Sequence, residues 1–176
     1  MANNSDDVEI NTEAMLEEAE APGANECCIY KVPFSIRRHN EEAYTPKVVS
    51  IGPFHNGHPR LQDMETHKLR YCKAFLQGTK TTWDSWIGKI EEMEPVFRRC
   101  YSDTLEFSKE QLVKMILVDC AFILELFCGF SIQEDDTCFS NPPQMMRIKF
   151  DMLLLENQVP FFVLERIYNL SIFSRG

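Results

Sequence analysis

The segment from residue 112 to residue 127 constrains the fold of this chain more than any other, because it is apolar on nearly every side of a helix. A helix of this kind has to be surrounded by other elements. Two acids, Asp119 and Glu125, interrupt it, so it lacks the ~18–20 uncharged residues that a membrane span needs. Ser108 and Gln111 have the form of a capping box just before it. The segment therefore predicts a buried central helix that begins at Ser108.

Helical spacing of apolar residues recurs on both sides of this central helix. The predicted helices cover 61–76 with a stop at Gly78, a stretch from Trp83 that Pro95 kinks or splits, 144–157, and a last helix opened by Pro160. A loop is predicted over 131–143. About half of the chain is therefore predicted to be helical.

Two short stretches with β preference precede the helices. CCIYKVP begins at Cys27 and is stopped by Pro33, and KVVSI at 47–51 lies between Pro46 and a turn-rich sequence. The predicted fold class is mainly α, a helical domain with a short extended or β element near the N-terminus. This domain is predicted to occupy 27–176.

The net charge of −9 is unevenly distributed along the chain. Residues 1–26 carry eight acids and no base, which predicts a disordered acidic tail. Residues 27–80 carry nine bases against four acids, but these bases are scattered. A nucleic-acid binder needs a clustered basic face, so no nucleic-acid partner is expected. We hypothesise that the acidic tail covers the basic stretch in a salt-sensitive way.

The compartment is predicted from the N-terminus and the cysteines. The first ten residues have neither a basic nor an apolar region, so no signal peptide is recognised. The seven cysteines are an odd number, and several lie in apolar helical runs where thiols behave as small hydrophobes. Reduced cysteines, and a soluble cytoplasmic location for this chain alone, are expected.

Candidate chemistry is limited to one group of histidines. The chain has no nucleotide-binding glycine motif, no Walker sequence, no G-x-S-x-G and no H-E-x-x-H. His55, His58 and His67 provide three imidazoles that a turn and a helix could bring together around zinc, with Asp63 or Cys72 as a fourth ligand. Their spacing matches no standard zinc pattern, so a metal site or a hydrolase-like enzyme built on them is the alternative hypothesis. The adjacent Cys27 and Cys28 lack a feature that would lower a thiol pKa and are interpreted as structural.

Four acids lie on or beside apolar helices. Asp119 and Glu125 are six residues apart, and Asp151 and Glu156 are five apart, so neither pair shares a helix face. Each is therefore predicted to bind a backbone amide or a basic side chain. Arg147 with Asp151 is one candidate pair at i,i+4 spacing.

Three stretches together resemble a known plant family, domain of unknown function 247, also called uncharacterised protein family 0481. They are IYKVPFSIRRHNEEAYTPKVVSIGPFHNGHPRLQDMETHKLRY at 29–71, MILVDCAFILELF at 115–127 and FDMLLLENQVPFFVLERIYNL at 150–170. Members typically read IYRVP, AYTPQVVSIGPYHHG with M-E-x-H-K, VDGCFILELF and DLLLLENQLPFFVLE. Asn56 replaces the usual second histidine of GPYHHG, and the glycine near Cys120 is also replaced.

The resemblance implies a mainly helical fold in proteins two to three times longer, with a C-terminal transmembrane helix. It implies no established catalytic activity, and some members act in pollen–stigma self-incompatibility in grasses. This chain would be the N-terminal portion, with membrane attachment only through a helix absent from it.

The leading hypothesis is a non-enzymatic module for protein interaction, recognition or signalling, whose protein partners are unidentified. No catalytic, cofactor or metal residue is assigned. A truncated paralogue without independent function is the third hypothesis, and it predicts an exposed apolar face. The GPFHNG turn and the LENQVPFF break are predicted to make specific structural contacts.

Overall fold

A computed structural model describes residues 27–128 and 142–175 of the chain. These residues form seven α-helices, namely α1 Phe34–Arg37, α2 Gln62–Gly78, α3 Trp83–Glu91, α4 Glu94–Arg99, α5 Lys109–Cys128, α6 Pro142–Asp151 and α7 Phe161–Arg175. Two 3-10 helices, Glu41–Ala43 and Pro59–Leu61, complete them. The mainly α fold class is confirmed. The predicted acidic tail at 1–26 and the predicted loop over 131–143, except its last two residues, lie outside the described residues.

Helix α5 lies at the centre of the fold, as its sequence predicts. It contacts α2, α3, α4 and α7. Its side chains from Leu112 to Glu125 are buried except for Lys114. The capping box also forms, since Ser108 N donates to Gln111 Oε1 at 2.9 Å and Gln111 N donates to Ser108 Oγ at 3.2 Å. In the described ranges, no helix is both long enough and apolar enough to cross a bilayer.

The helix boundaries follow the predicted breakers except at α6. Pro95 lies in the first turn of α4, where its missing N–H removes no helical bond, so the stretch from Trp83 splits into α3 and α4. Helix α6 ends at Asp151, six residues before the predicted end at 157. It ends there because the Asn157 side chain donates to the Asp151 carbonyl at 2.9 Å. Gln158 likewise donates to the carbonyls of Met152 and Leu154.

The predicted β element is not formed as a strand in the part of the chain that is described. Ile29 makes one isolated parallel bridge with Tyr101, and residues 47–51 pair with no strand. The β-preferring sequence of 47–51 does produce a buried segment, with Val49 and Ile51 in an apolar cluster that also contains Phe122. Its backbone donors, however, bond to side chains of other elements, which removes the need for a partner strand.

Candidate functional site

The three stretches that carry the family resemblance meet at one buried polar network. The segment 47–52 passes among α2, α5 and the turn over 151–158, and side chains from these elements bond its backbone. A backbone buried without partners would cost about 1–3 kcal/mol for each unpaired group. We call this network the polar clamp, because it holds 47–52 in place.

Asp151 and Asn157 form one end of the polar clamp. The Asp151 carboxylate accepts from the backbone N–H of Lys47 at 3.0 Å, of Val48 at 2.6 Å and of Val49 at 3.0 Å. Asn157 accepts from Ile51 N at 2.7 Å and donates to the Val49 carbonyl at 2.9 Å. Together these two side chains supply the hydrogen bonds that a neighbouring strand would supply.

Asp119, Lys68 and Glu65 form the other end. Asp119 accepts from Gly52 N at 2.8 Å and from the Lys68 ammonium at 2.5 Å, and both side chains are fully buried. Lys68 also donates to the Ser50 carbonyl at 2.9 Å and pairs with Glu65 at 2.8 Å, so its three protons have acceptors. Burial alone would lower the pKa of Lys68, but the Asp119 and Glu65 carboxylates outweigh it and the net shift is upward. The lysine therefore remains charged in the core.

Glu156 anchors the N-terminal segment beside the clamp. Its buried carboxylate accepts from Val32 N and from the Arg37 guanidinium. His55 Nε2 lies 3.5 Å from the same carboxylate, and burial lowers the pKa of His55 despite this negative neighbour. The predictions that Asp119, Asp151 and Glu156 each bind a backbone amide or a basic side chain are confirmed.

One finer prediction about the acids differs from the structure. Among the described residues no ion pair joins Arg147 to Asp151, because the Asp151 carboxylate is directed at the 47–49 backbone instead. The i,i+4 pair is therefore wrong. Glu125 is fully buried on α5, and its predicted backbone or basic partner stays a prediction.

The histidines do not converge. His55 faces Glu156, whereas His58 Nδ1 accepts from Arg60 N at 3.3 Å in the 3-10 turn, and His67 lies on α2. Over the ranges described, no group of three or more His, Cys, Asp or Glu side chains is arranged to hold a metal ion.

The possible fourth ligands, Asp63 and Cys72, also lie on α2. Burial raises the pKa of the Cys72 thiol to about 12, so it stays protonated.

The cysteine pair near the N-terminus is held through its backbone. Cys28 is exposed and Cys27 half-buried, and no disulfide joins the described cysteines. Cys28 N and Ile29 N both donate to the Cys100 carbonyl at 2.9 Å. These backbone bonds dock the segment on α4, in keeping with a structural role.

The GPFHNG turn and the LENQVPFF break touch each other at Gly52. Gly52 has a φ of +74°, and a Cβ there would lie 2.2 Å from the Gln158 carbonyl oxygen. That oxygen also accepts from the Tyr101 hydroxyl at 2.9 Å. Only glycine fits both the backbone conformation and the space.

We expect Gly52→Ala to lower the free energy of unfolding by about 2 kcal/mol, from left-handed strain and the collision with Gln158. Gly57 has a φ of +80° with open space around its Cβ position. Gly57→Ala therefore measures the cost of the left-handed backbone without a collision. Gly88 lies exposed in α3 with no neighbour within 4 Å, so Gly88→Ala should raise stability by about 0.5–1 kcal/mol. Urea denaturation of the three variants measures these differences, and equal losses for Gly52→Ala and Gly57→Ala would rule out the collision.

A second feature of the molecule is an apolar surface on its C-terminal part. Helix α7 presents Phe161, Leu164, Tyr168 and Ile172 along one stripe, and Phe127 and Leu153 border it. We call these six residues the C-terminal apolar face. A groove of about 520 Å³ runs between α5, the turn after α6 and the start of α7, and Lys149 lines it.

The comparisons with known proteins point to one family. A family model described as a plant protein of unknown function, DUF247, matches residues 29–175. The chain is 39% identical over 155 residues to UPF0481 protein At3g47200 of Arabidopsis thaliana, covering 85% of this chain and 32% of that protein. It is 32% identical over 139 residues to putative UPF0481 protein At3g02645 of the same plant, covering 78% of this chain and 26% of that protein.

No solved structure matches the chain. The chain spans about a third of the length of the first of these relatives and about a quarter of the second. The matched region contains every element of the polar clamp, from Lys47 to Gln158. A family match that runs through the whole helical unit and its buried network leaves one assignment: this chain belongs to the plant DUF247 family, also called UPF0481.

Proposed function

We propose that this chain is a non-enzymatic protein-interaction module that acts in recognition or signalling. The observation that carries the proposal is that α7 is apolar on two separate sides. Val163, Ile167 and Ser171 lie on one side and are fully buried against the core. On the stripe that begins at Phe161, Phe161 is 74% exposed and Tyr168 and Ile172 are 37% and 45% exposed, whereas Leu164 is half-buried against the core. A helix that is apolar on two sides needs a second packing partner.

Two side chains of the C-terminal apolar face are strongly exposed and line the same groove. Phe161 is 74% exposed and Leu153 is 75% exposed. Contiguous apolar surface of this kind marks interaction sites in soluble proteins. Aromatic side chains such as Phe161 are also enriched among the residues that dominate binding energy.

The role of the motif residues supports a non-enzymatic module. The carboxylates of Asp119, Asp151 and Glu156 bind backbone N–H groups and buried cations of the chain itself. Groups engaged in this way hold the fold together and are not directed at a substrate. The alternative enzyme or metal protein based on His55, His58 and His67 receives no comparable support, because these side chains point to different neighbours.

We propose that the occupant of the C-terminal apolar face is an amphipathic helix of another protein. The groove between α5 and α7 is lined by apolar side chains, and Lys149 is its charged residue. A helix that places apolar residues in the groove and an acidic residue near Lys149 would match it in shape and charge.

The proposal extends to location. We place this chain in the cytoplasm and attribute membrane attachment of longer relatives to a helix outside the sequence described. Support comes from the thiols of Cys72 and Cys120, whose burial raises their pKa and keeps them protonated inside the helical core. Such thiols suit a reducing compartment.

Site-specific photocrosslinking tests the proposed face. A benzoylphenylalanine residue replaces Phe161 on the face or, as a matched control, Phe34 on α1, which is 77% exposed. In plant cells we expect an adduct with a different polypeptide from position 161 and none from position 34. Leu153→Glu should reduce that adduct about tenfold, since a charge in the groove disfavours apolar packing. Ile36→Glu, a change at another exposed apolar residue, which lies on α1, should leave it intact.

Other results would overturn the proposal. Adducts of equal yield at both positions would indicate nonspecific contact. An adduct of twice the chain mass would make the occupant a second copy, and crosslinks confined to the same polypeptide would make it part of the chain's own domain. No adduct, together with strong binding of a hydrophobic dye and non-cooperative unfolding, would favour the truncated paralogue.

A further inference from the structure

A separate cavity lies on the opposite side of the polar clamp from 151–158. It has a volume of about 370 Å³, within the size range of small-molecule sites. The GPFHNG turn, α2 and the N-terminal half of α5 form its walls. Its apolar wall consists of Leu69, Phe107, Met115 and Val118, and Glu65 and Asp119 supply its acidic wall.

Two acids at this wall share one cation. Two carboxylates, Glu65 and Asp119, pair with the single ammonium group of Lys68. Asp119 is fully buried, and its two oxygens bind Lys68 and Gly52 N. Glu65 contributes one oxygen to Lys68, and its side chain, which lines the cavity, remains 27% exposed. The Glu65–Lys68–Asp119 group therefore carries one negative charge in excess, and the other charged residue of the lining is Lys114.

We propose that this cavity binds a small amphipathic molecule that carries a cationic amino group. The amino group pairs with the Glu65 carboxylate, and the apolar part of the molecule packs against Leu69, Phe107 and Met115. An amine supplies the positive charge that the Glu65–Lys68–Asp119 group lacks. Lys114, which also lines the cavity, disfavours a second cationic group and favours a molecule with one amine at one end. This site is independent of the C-terminal apolar face.

The test compares three probes of similar size on the whole chain by isothermal titration calorimetry. These probes are phenethylamine, the neutral 2-phenylethanol and the anionic 3-phenylpropionate. We expect phenethylamine to bind at least about tenfold more tightly than the other two, the difference that one charge-assisted hydrogen bond supplies. Glu65→Gln should abolish this preference, because the amide keeps an acceptor for Lys68 but loses the charge. Glu110→Gln, a change at an exposed acid of α5 that does not line the cavity, should retain it.

A pH series on the unsubstituted chain tests the same proposal without a variant. Burial raises the pKa of Glu65, although Lys68 opposes the shift and Asp119 adds to it. Phenethylamine affinity should therefore fall on acidification at a higher pH than for an ordinary glutamate, while 2-phenylethanol affinity stays constant. Equal affinities of the amine and the alcohol, an unchanged preference in Glu65→Gln, or an equal loss in Glu110→Gln would overturn the proposal.

Discussion

Asp119→Ala is expected to lower the free energy of unfolding by about 3–5 kcal/mol, the cost of leaving a buried charge without its main partner. The change removes the acceptor of Gly52 N and one of the two carboxylates beside the Lys68 ammonium. Glu65 remains as a partner, so the ammonium is not left bare, but it lies at the edge of the core. Urea denaturation followed by circular dichroism measures the loss.

Asp103→Ala provides the matched control. Asp103 pairs with Lys31 at 2.8 Å, but both side chains are about half exposed. A solvent-exposed pair contributes at most about 1 kcal/mol, so this variant should be nearly as stable as the parent chain. If Asp119→Ala and Asp103→Ala lost the same amount, the buried group would not stabilise the fold as argued.

A double substitution measures how strongly Lys68 and Asp119 stabilise the fold as a pair, apart from the packing that each change removes. Lys68→Met in the parent chain leaves the buried Asp119 carboxylate and the half-buried Glu65 carboxylate without a cation, whereas Lys68→Met combined with Asp119→Asn leaves only Glu65, at the edge of the core. The double variant should therefore be more stable than the sum of the two single losses predicts, by about 1–3 kcal/mol. Simple additivity would show that the two side chains act separately.

The helices could be predicted from sequence because their signals are local. The capping box at Ser108, the breaker at Pro95 and the apolar run of α5 each act within a few residues. The burial of α5 could also be predicted from its sequence, since none of its faces is polar enough to be exposed to solvent. Such features depend on helix geometry and not on distant partners.

The contacts of the polar clamp could not be predicted because they join distant parts of the chain. Val48 and Asp151 are 103 positions apart, and Asn157 and Val49 are 108 apart. Acids within apolar helices did indicate the kind of partner they would need, but not which one. Lys68, Asn157 and Gln158 were missed, since a lysine or an amide on a helix or turn is normally exposed.

The error about the β element has the same origin. A buried extended segment shows the same preference for β-branched residues whether its backbone bonds to a strand or to side chains. For 47–51 the partners are Asp151 and Asn157, so no strand results. The available signal was a carboxylate and an amide, Asp151 and Asn157, within the predicted helix 144–157.

The most recognisable stretches of the chain thus explain its fold more than its chemistry. The VVSIGP sequence supplies the clamped segment, VDCAF supplies Asp119, and DMLLLENQ supplies Asp151, Asn157 and Gln158. Specific binding would then arise from surfaces that these stretches position, such as the C-terminal apolar face and the cavity beside Glu65. Substitutions of the buried clamp residues should act on stability, and substitutions on those surfaces, Glu65 included, should act on binding.

Asp151→Ala is the second substitution expected to have a large effect, about 3–5 kcal/mol of unfolding free energy. One carboxylate accepts from three successive backbone N–H groups, and each donor left buried without an acceptor costs about 1–3 kcal/mol. Asp151→Asn should lose less, because the single oxygen Oδ2 accepts from all three N–H groups and an amide oxygen in its place keeps these acceptors while the charge is lost.

Hydrogen exchange locates this effect within the segment. In Asp151→Ala, the amides of Val48 and Val49 should lose their protection, because both bond to the Asp151 carboxylate. The amide of Ile51 should keep more of its protection, because it bonds to Asn157. A uniform loss across 48–51 would instead indicate that the segment opens as one unit and that Asp151 alone holds it in place.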